Sequence, residues 1–276
     1  MSEATTTTIA HTAPSKLGPT FAACRAEGRS ALIGYLPAGY PTVDKSIETF
    51  TTMVEAGCDI IEVGVPYSDP VMDGPTIQEA ADIALDNGFR VRDTFRAIEA
   101  ITSAGGAAVV MAYWNNVLAY GVDRFARDLA NAGGAGIITP NLIPEEGADW
   151  HAASDEHGLD RIYLVAPSST NERLAMTVDA SRGFIYAAST MGVTGARDAV
   201  SDAAPDLCAR VRAHSDIPIG VGLGVRSGAQ AAEIAAYADG VIVGSALVSA
   251  AKESNQRLGA LVGELAEGVR SAIAAD

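Results

Sequence analysis

Eight short apolar runs, each followed by a stretch with helical spacing, govern what this chain can fold into. The runs fall at 31–37, 59–65, 107–112, 136–140, 161–166, 183–188, 218–222 and 240–243. They are rich in Val, Ile and Ala with little polar alternation, as expected of strands buried on both faces of a parallel sheet. Between them, 43–56, 76–86, 120–132, 171–181 and 227–237 show the periodicity of amphipathic helices. Such a series predicts an α/β fold, a (β/α)8 TIM barrel, whose usual length is ~250 residues. A doubly wound open sheet is the alternative. No strand leads into a GxGxxG turn and the count closes at eight, so the barrel is favoured. No linker divides the chain, which reads as one catalytic domain over 17–276 behind a disordered N-terminal tail, 1–16. A helix at 17–28 is placed to cover the barrel floor, and the second unit is the longest, with a loop at 66–75 and an extra helix at 91–104.

Charge and composition narrow the partners. The formal charge is −15 and no cluster of Lys or Arg occurs, which argues against nucleic acid and anionic membranes. A small anionic substrate remains compatible if backbone amides hold it locally. The three cysteines, Cys24, Cys58 and Cys208, lie far apart without a CxxC, so neither a disulfide framework nor a zinc site is expected and a reducing cytoplasm is the natural setting. The histidines lack metal-ligand spacing, and His151 and His157 fall in a polar stretch read as surface. No run is long enough to span a membrane, and Met1–Thr8 lacks the basic start and apolar centre of a signal peptide.

One residue breaks the apolar pattern. Glu62 sits in Asp59-Ile60-Ile61-Glu62-Val63-Gly64-Val65, where an ionised side chain is costly unless paired or shifted in pKa. Alternation places it on one face with Ile60 and Gly64, inward, and the missing bulk at Gly64 predicts room beside the carboxyl. The bland alternative is a buried structural acid paired with Lys or Arg, although most strand interiors carry no basic residue. A second acid, Asp73, follows in Ser68-Asp69-Pro70-Val71-Met72-Asp73-Gly74-Pro75. By itself this is ordinary turn or capping chemistry. Two carboxylates at the carboxyl end of a barrel strand also suit acid–base catalysis.

Three late strand ends are rich in glycine: Met191-Gly192-Val193-Thr194-Gly195, Gly220-Val221-Gly222-Leu223-Gly224 and Val243-Gly244-Ser245-Ala246. Glycine lets backbone N–H groups approach a phosphate, and a following helix start adds its positive end. Tight turns would need the same residues. Tyr35, Tyr113 and Tyr186 stand at strand ends where they can line an apolar wall, although each alone suits a core. The 189–200 stretch has the composition of a mobile lid.

Taken together, the segment from Glu62-Val63-Gly64-Val65-Pro66-Tyr67-Ser68 through Asp69-Pro70-Val71-Met72-Asp73-Gly74-Pro75-Thr76-Ile77-Gln78, with Gly192-Val193-Thr194-Gly195, resembles the alpha subunits of tryptophan synthase. The resemblance runs over about residues 31–250. It implies retro-aldol cleavage of indole-3-glycerol phosphate to indole and glyceraldehyde 3-phosphate. Glu62 and Asp73 match the family's catalytic pair, Tyr186 the tyrosine beside it, and Thr194 the lid threonine. Gly195, Gly224, Gly244 and Ser245 match phosphate-binding positions, while Tyr35 and Tyr113 remain candidate substrate contacts. Met72, Tyr40 and Thr190-Met191 depart from the commonest family pattern, which bears on loop packing and partner contact rather than on the reaction.

The resemblance also implies a beta subunit as partner in an alpha2-beta2 heterotetramer, docked over the second and sixth βα loops. Pyridoxal phosphate is expected in that partner, and neither cofactor nor metal in this chain. A stand-alone lyase releasing free indole is the nearest competing reading. An indole-glycerol-phosphate synthase would be expected to carry a catalytic lysine on an early strand, yet Lys16, Lys45 and Lys252 all lie outside the strand candidates. A silent activator of the beta subunit would have no reason to keep a buried glutamate.

Overall fold

The structure, a computed structural model, describes residues 14–188, 203–222 and 224–271. Its strands are β1 (Ala31–Pro37), β2 (Ile60–Gly64), β3 (Ala107–Met111), β4 (Gly136–Ile138), β5 (Asp160–Ile162), β6 (Leu164–Val165), β7 (Ile185–Ala188), β8 (Ile219–Gly222) and β9 (Gly240–Val243). All neighbouring pairs are parallel, in the order β5-β4-β3-β2-β1-β9-β8-β7-β6. The segments β5 and β6 are the two halves of the run read at 161–166, parted at Tyr163. The Tyr163 carbonyl still accepts from Tyr186 N–H at 3.1 Å, so this stave runs on from β4 on one side to β7 on the other. The fold is therefore the expected eight-stave TIM barrel, with one stave split.

Alternation along the staves makes two cores. Ile33, Ile60, Val109, Ile138, Ile162, Phe184 and Ile242 fill the barrel interior, and Leu17, Phe21 and Cys24 close it from below. Their out-facing neighbours, such as Leu32, Ile61, Val63, Val110 and Val241, join the helices in a larger shell with Phe50, Met53, Ile98 and Leu129. This is why the strands read as continuously apolar. The helix Gly18–Ala26 is the floor cover, with Phe21 packed 5.7 Å from Phe184 between ring centroids.

Residues 1–13 of the expected tail lie outside the described residues. Ser15 and Lys16, assigned above to that tail, are attached to the barrel. Ser15 Oγ and Leu17 N–H each donate to Asp160 Oδ2 at 2.9 Å, and Lys16 Nζ donates to the Gly134 carbonyl at 3.2 Å. Around Asp160 lies a buried cluster that sequence reading missed. Arg182 Nε stands 3.2 Å from Asp160 Oδ1, and Arg161, fully buried, pairs with Asp155 at 2.7 Å.

Two local readings change. The helix expected over 120–132 is two, Trp114–Tyr120 and Val122–Asn131, joined at Gly121 with φ +96°, a conformation suited to glycine. His151, read as surface, is half-buried on the helix Ala148–Glu156 with Nε2 2.8 Å from the Tyr163 hydroxyl.

Candidate active site

The carboxyl end of β2 carries Glu62, flanked in register by Tyr35 of β1 and Val109 of β3. It is 1% exposed, and its Oε2 has no hydrogen-bond partner among the described residues. Among the described residues no Lys or Arg pairs with it, which leaves the reading as a structural ion pair without support. Burial, reinforced by the Asp73 charge, pushes its carboxyl up to about 8.

Asp73 lies at the end of the loop between β2 and the helix Pro75–Asp86. Gly74 is that helix's N-cap, and Pro75 opens the helix proper. Asp73 therefore does not cap the helix; its carboxylate is buried instead. Gln78 Nε2 donates to its backbone carbonyl at 2.7 Å, fixing the carbonyl and leaving the side chain free to face the barrel mouth. The Tyr113 hydroxyl donates to Oδ1 at 3.4 Å, which favours the ionised form, but burial outweighs it and holds the carboxyl at about 6. Asp69, by contrast, is an exposed turn acid bonded to Ser68 Oγ at 2.6 Å.

The space expected beside Gly64 is occupied. A Cβ added there would stand 2.4 Å from the Tyr35 hydroxyl, so the phenol of Tyr35 lies across the glycine. Gly222 plays the same part for Tyr186, whose hydroxyl would be 2.7 Å from an added Cβ. The missing side chains thus seat two aromatic rings rather than leave a void. Burial and the nearby charges of Glu62 and Asp73 push both phenols well above the ordinary tyrosine range, so both stay neutral donors. Tyr113 is buried after β3 and packs against Tyr67, with ring centroids 5.2 Å apart. Tyr67 and Gln78 were not singled out as functional from sequence. The signal available was their place within the long motif around Asp73.

On the opposite side, β8 and β9 pair with Gly222 beside Ile242, and Gly224 and Gly244 follow these strand ends by two residues and one. Gly224 has φ +71°, which excludes most side chains. Gly244 precedes the helix Ser245–Glu253, whose start carries no side-chain cap. With no side chain over it, the positive end of the helix dipole makes that start receptive to an anion. Thr194 and Gly195, with the rest of the expected lid, lie outside the described residues.

The site thus brings Glu62, Asp73, Tyr35, Tyr113 and Tyr186 to one mouth, with Gly224, Gly244 and Ser245 on its late-strand rim. Two buried carboxyls, Glu62 raised to about 8 and Asp73 to about 6, thus share a mouth lined by tyrosines.

The chain is similar to known proteins over most of its length. The family profile for the tryptophan synthase alpha chain matches residues 21–274. The tryptophan synthase alpha chain of Nocardia farcinica is 76% identical over 261 residues, covering 95% of this chain and 98% of that one. The alpha chain of Mycobacterium tuberculosis is 71% identical over 261 residues, covering 95% and 97%. A solved structure of Mycobacterium tuberculosis tryptophan synthase superposes with a TM-score of 0.91 at 70% identity, covering 93% of this chain and 99% of that chain.

Proposed function

This chain belongs to the tryptophan synthase alpha chain family, and from that premise we propose that Glu62 and Asp73 are the pair with which it cleaves indole-3-glycerol phosphate. The products are indole and glyceraldehyde 3-phosphate. One observation carries the assignment: both carboxyls are buried at the barrel mouth, and burial raises Glu62, to about 8, above Asp73, at about 6, which favours the proton on Glu62 and the charge on Asp73.

The reaction needs both states. Glu62 delivers its proton to the indole ring carbon that bears the glycerol chain, leaving positive charge on the ring. Asp73, ionised, accepts the indole N–H bond and stabilises that charge. The Glu62 carboxylate then takes the proton of the adjacent glycerol hydroxyl. The carbon–carbon electron pair returns to the ring, releasing indole and the aldehyde. Tyr35, Tyr113 and Tyr186 wall the indole, and Gly224, Gly244 and Ser245, with Thr194 and Gly195 of the lid, hold the phosphate end. These transfers use only substrate and side chains, so the chain works without a cofactor of its own; pyridoxal phosphate belongs to the beta subunit. The same reading makes the barrel one catalytic domain that takes in Ser15 and Lys16 as well as residues 17–276. We place the protein in the cytoplasm; among the described residues no helix is long and apolar enough to cross a membrane.

Indole is passed to the beta subunit in an alpha2-beta2 complex. Val71, Leu118, Ile143 and Met176 are exposed large hydrophobics among the described residues, and Val71 and Ile143 lie in the loops that leave β2 and β4 at the active end of the barrel. Apolar residues there suit a partner seated over the mouth; Val71 lies in the second βα loop of the expected docking face, and the sixth, at 189–202, lies outside the described residues. The test is indole release from indole-3-glycerol phosphate, with and without the beta subunit. Release is expected to be slow alone and to rise by roughly 5- to 150-fold with the partner, the usual span of coupling between sites. Fast release without a partner would instead mark a stand-alone lyase, and none under either condition would remove the assignment.

The opposed protonation states also predict a bell-shaped dependence of kcat on pH. Its limbs, near pH 6 and pH 8, belong to the coupled pair. A rate that is flat from well below the lower limb to well above the upper one would contradict this.

A further inference from the structure

Tyr113 makes more contacts than an aromatic wall requires. Its hydroxyl accepts from the backbone N–H of Val71 at 3.2 Å and of Met72 at 3.1 Å, and it donates to Asp73 Oδ1 at 3.4 Å. A phenol oxygen has one proton and two lone-pair directions. The two amides occupy both acceptor directions, so the proton is aimed at Asp73.

The tyrosine is itself held fast. Its residue is the N-cap of the helix Trp114–Tyr120, the preceding Ala112 N–H bonds the Ile138 carbonyl at 3.1 Å, and Trp114 N–H bonds Asn141 Oδ1 at 2.8 Å. Tyr67 lies against its ring. The loop it grips is otherwise open to solvent, with Val71 69% exposed.

We propose that the Tyr113 hydroxyl is a positioning group for cleavage: it ties three consecutive loop residues to the end of β3 and fixes the direction in which the Asp73 carboxylate points. This rests on the assignment of Asp73 above. The neighbouring titratable groups are Glu62 on β2, Tyr35 on β1 and Tyr186 on β7. None of them shares the hydroxyl's position across the loop. Its bond favours ionised Asp73, so removing it raises the Asp73 pKa and leaves less of the acceptor form at a given acidic pH.

The variant Tyr113→Phe keeps the ring and deletes all three hydrogen bonds. We expect kcat to fall by roughly 10- to 100-fold, as for a misdirected catalytic group, with KM changed by less than about threefold. The acidic limb of the kcat profile should move up by as much as about one pH unit. Glycerol 3-phosphate binding, followed by calorimetry, should be unchanged and reports that the variant is folded. In an Asp73→Asn background the same substitution should add nothing, because the group it positions is already disabled.

A Tyr113→Phe enzyme with wild-type kcat and an unmoved acidic limb overturns the proposal. So does a full multiplicative loss on top of Asp73→Asn, which would mark a separate contact with the indole. If Asp73→Asn alone leaves cleavage intact, the assignment of Asp73 fails first and the positioning role goes with it.

Discussion

Glu62→Gln is expected to abolish cleavage and to make the protein more stable. Catalysis should fall by roughly 10²–10⁴-fold, the share usual for a general acid–base group, because an amide of the same shape has no proton to give and take. Stability moves the other way. The fold favours the neutral form of Glu62, with its carboxyl near 8 against an ordinary value of 4.5. Below the ordinary value both folded and unfolded chains carry the proton, and the site is neutral in effect. As pH rises, the unfolded chain releases the proton first, so stability falls until the folded carboxyl has titrated as well. The penalty reaches on the order of 5 kcal/mol at alkaline pH. Glutamine cannot ionise and escapes it. Urea unfolding of both proteins at pH 4 and pH 9 should give similar midpoints at the lower pH and a clear advantage for Glu62→Gln at the higher. Equal midpoints at both would mean that Glu62 meets no desolvated environment, and the acid role would lose its physical basis.

Asp160→Ala should do the reverse, weakening the protein while leaving the chemistry alone. Asp160 holds Leu17 N–H and Ser15 Oγ with one oxygen and faces Arg182 with the other. Truncation leaves a buried guanidinium with Asp155 at 3.5 Å as a remaining carboxylate and the Ser154 and Leu159 carbonyls as acceptors, beside the like charge of Arg161. Breaking such a pair costs about 3–5 kcal/mol. Asp160→Asn keeps an acceptor for Leu17 and loses only the charge, so it should fall between wild type and Asp160→Ala. The cluster lies at the barrel floor, away from the mouth, so kcat at a temperature where the variant is folded should stay within about twofold of wild type. Chemical denaturation and a cleavage assay on the same preparations read both quantities. A large loss of kcat in folded Asp160→Ala would show that the floor and mouth are coupled.

These two residues differ in how legible they were. Glu62 stands out because a carboxylate inside an apolar run has no folding purpose. Asp160 and Arg161 open a strand, where polar residues are unremarkable, and Arg182 lies about twenty residues further on. Their burial together depends on the floor helix folding beneath β5, which no local pattern reveals. Gly64 shows a subtler limit. Its missing side chain was evident, but whether that space stays empty depends on the neighbouring strand, and Tyr35 takes it. Asp73 looked like a capping acid until Gly74 and Pro75 proved to begin the helix. The bond network of Tyr113 joins residues about forty positions apart, beyond any spacing rule.

The amino-acid sequence by itself determined the eight-stave α/β barrel and the strand end from which the chemistry arises. Apolar periodicity is local, and a lone carboxylate within it cannot hide. Only the tertiary structure decided which carboxyl keeps its proton at neutral pH. That choice depends on desolvation and on groups brought near by distant segments: the burial of Glu62 at the end of β2 beside Asp73, and the tyrosine that reaches across from β3 to Asp73.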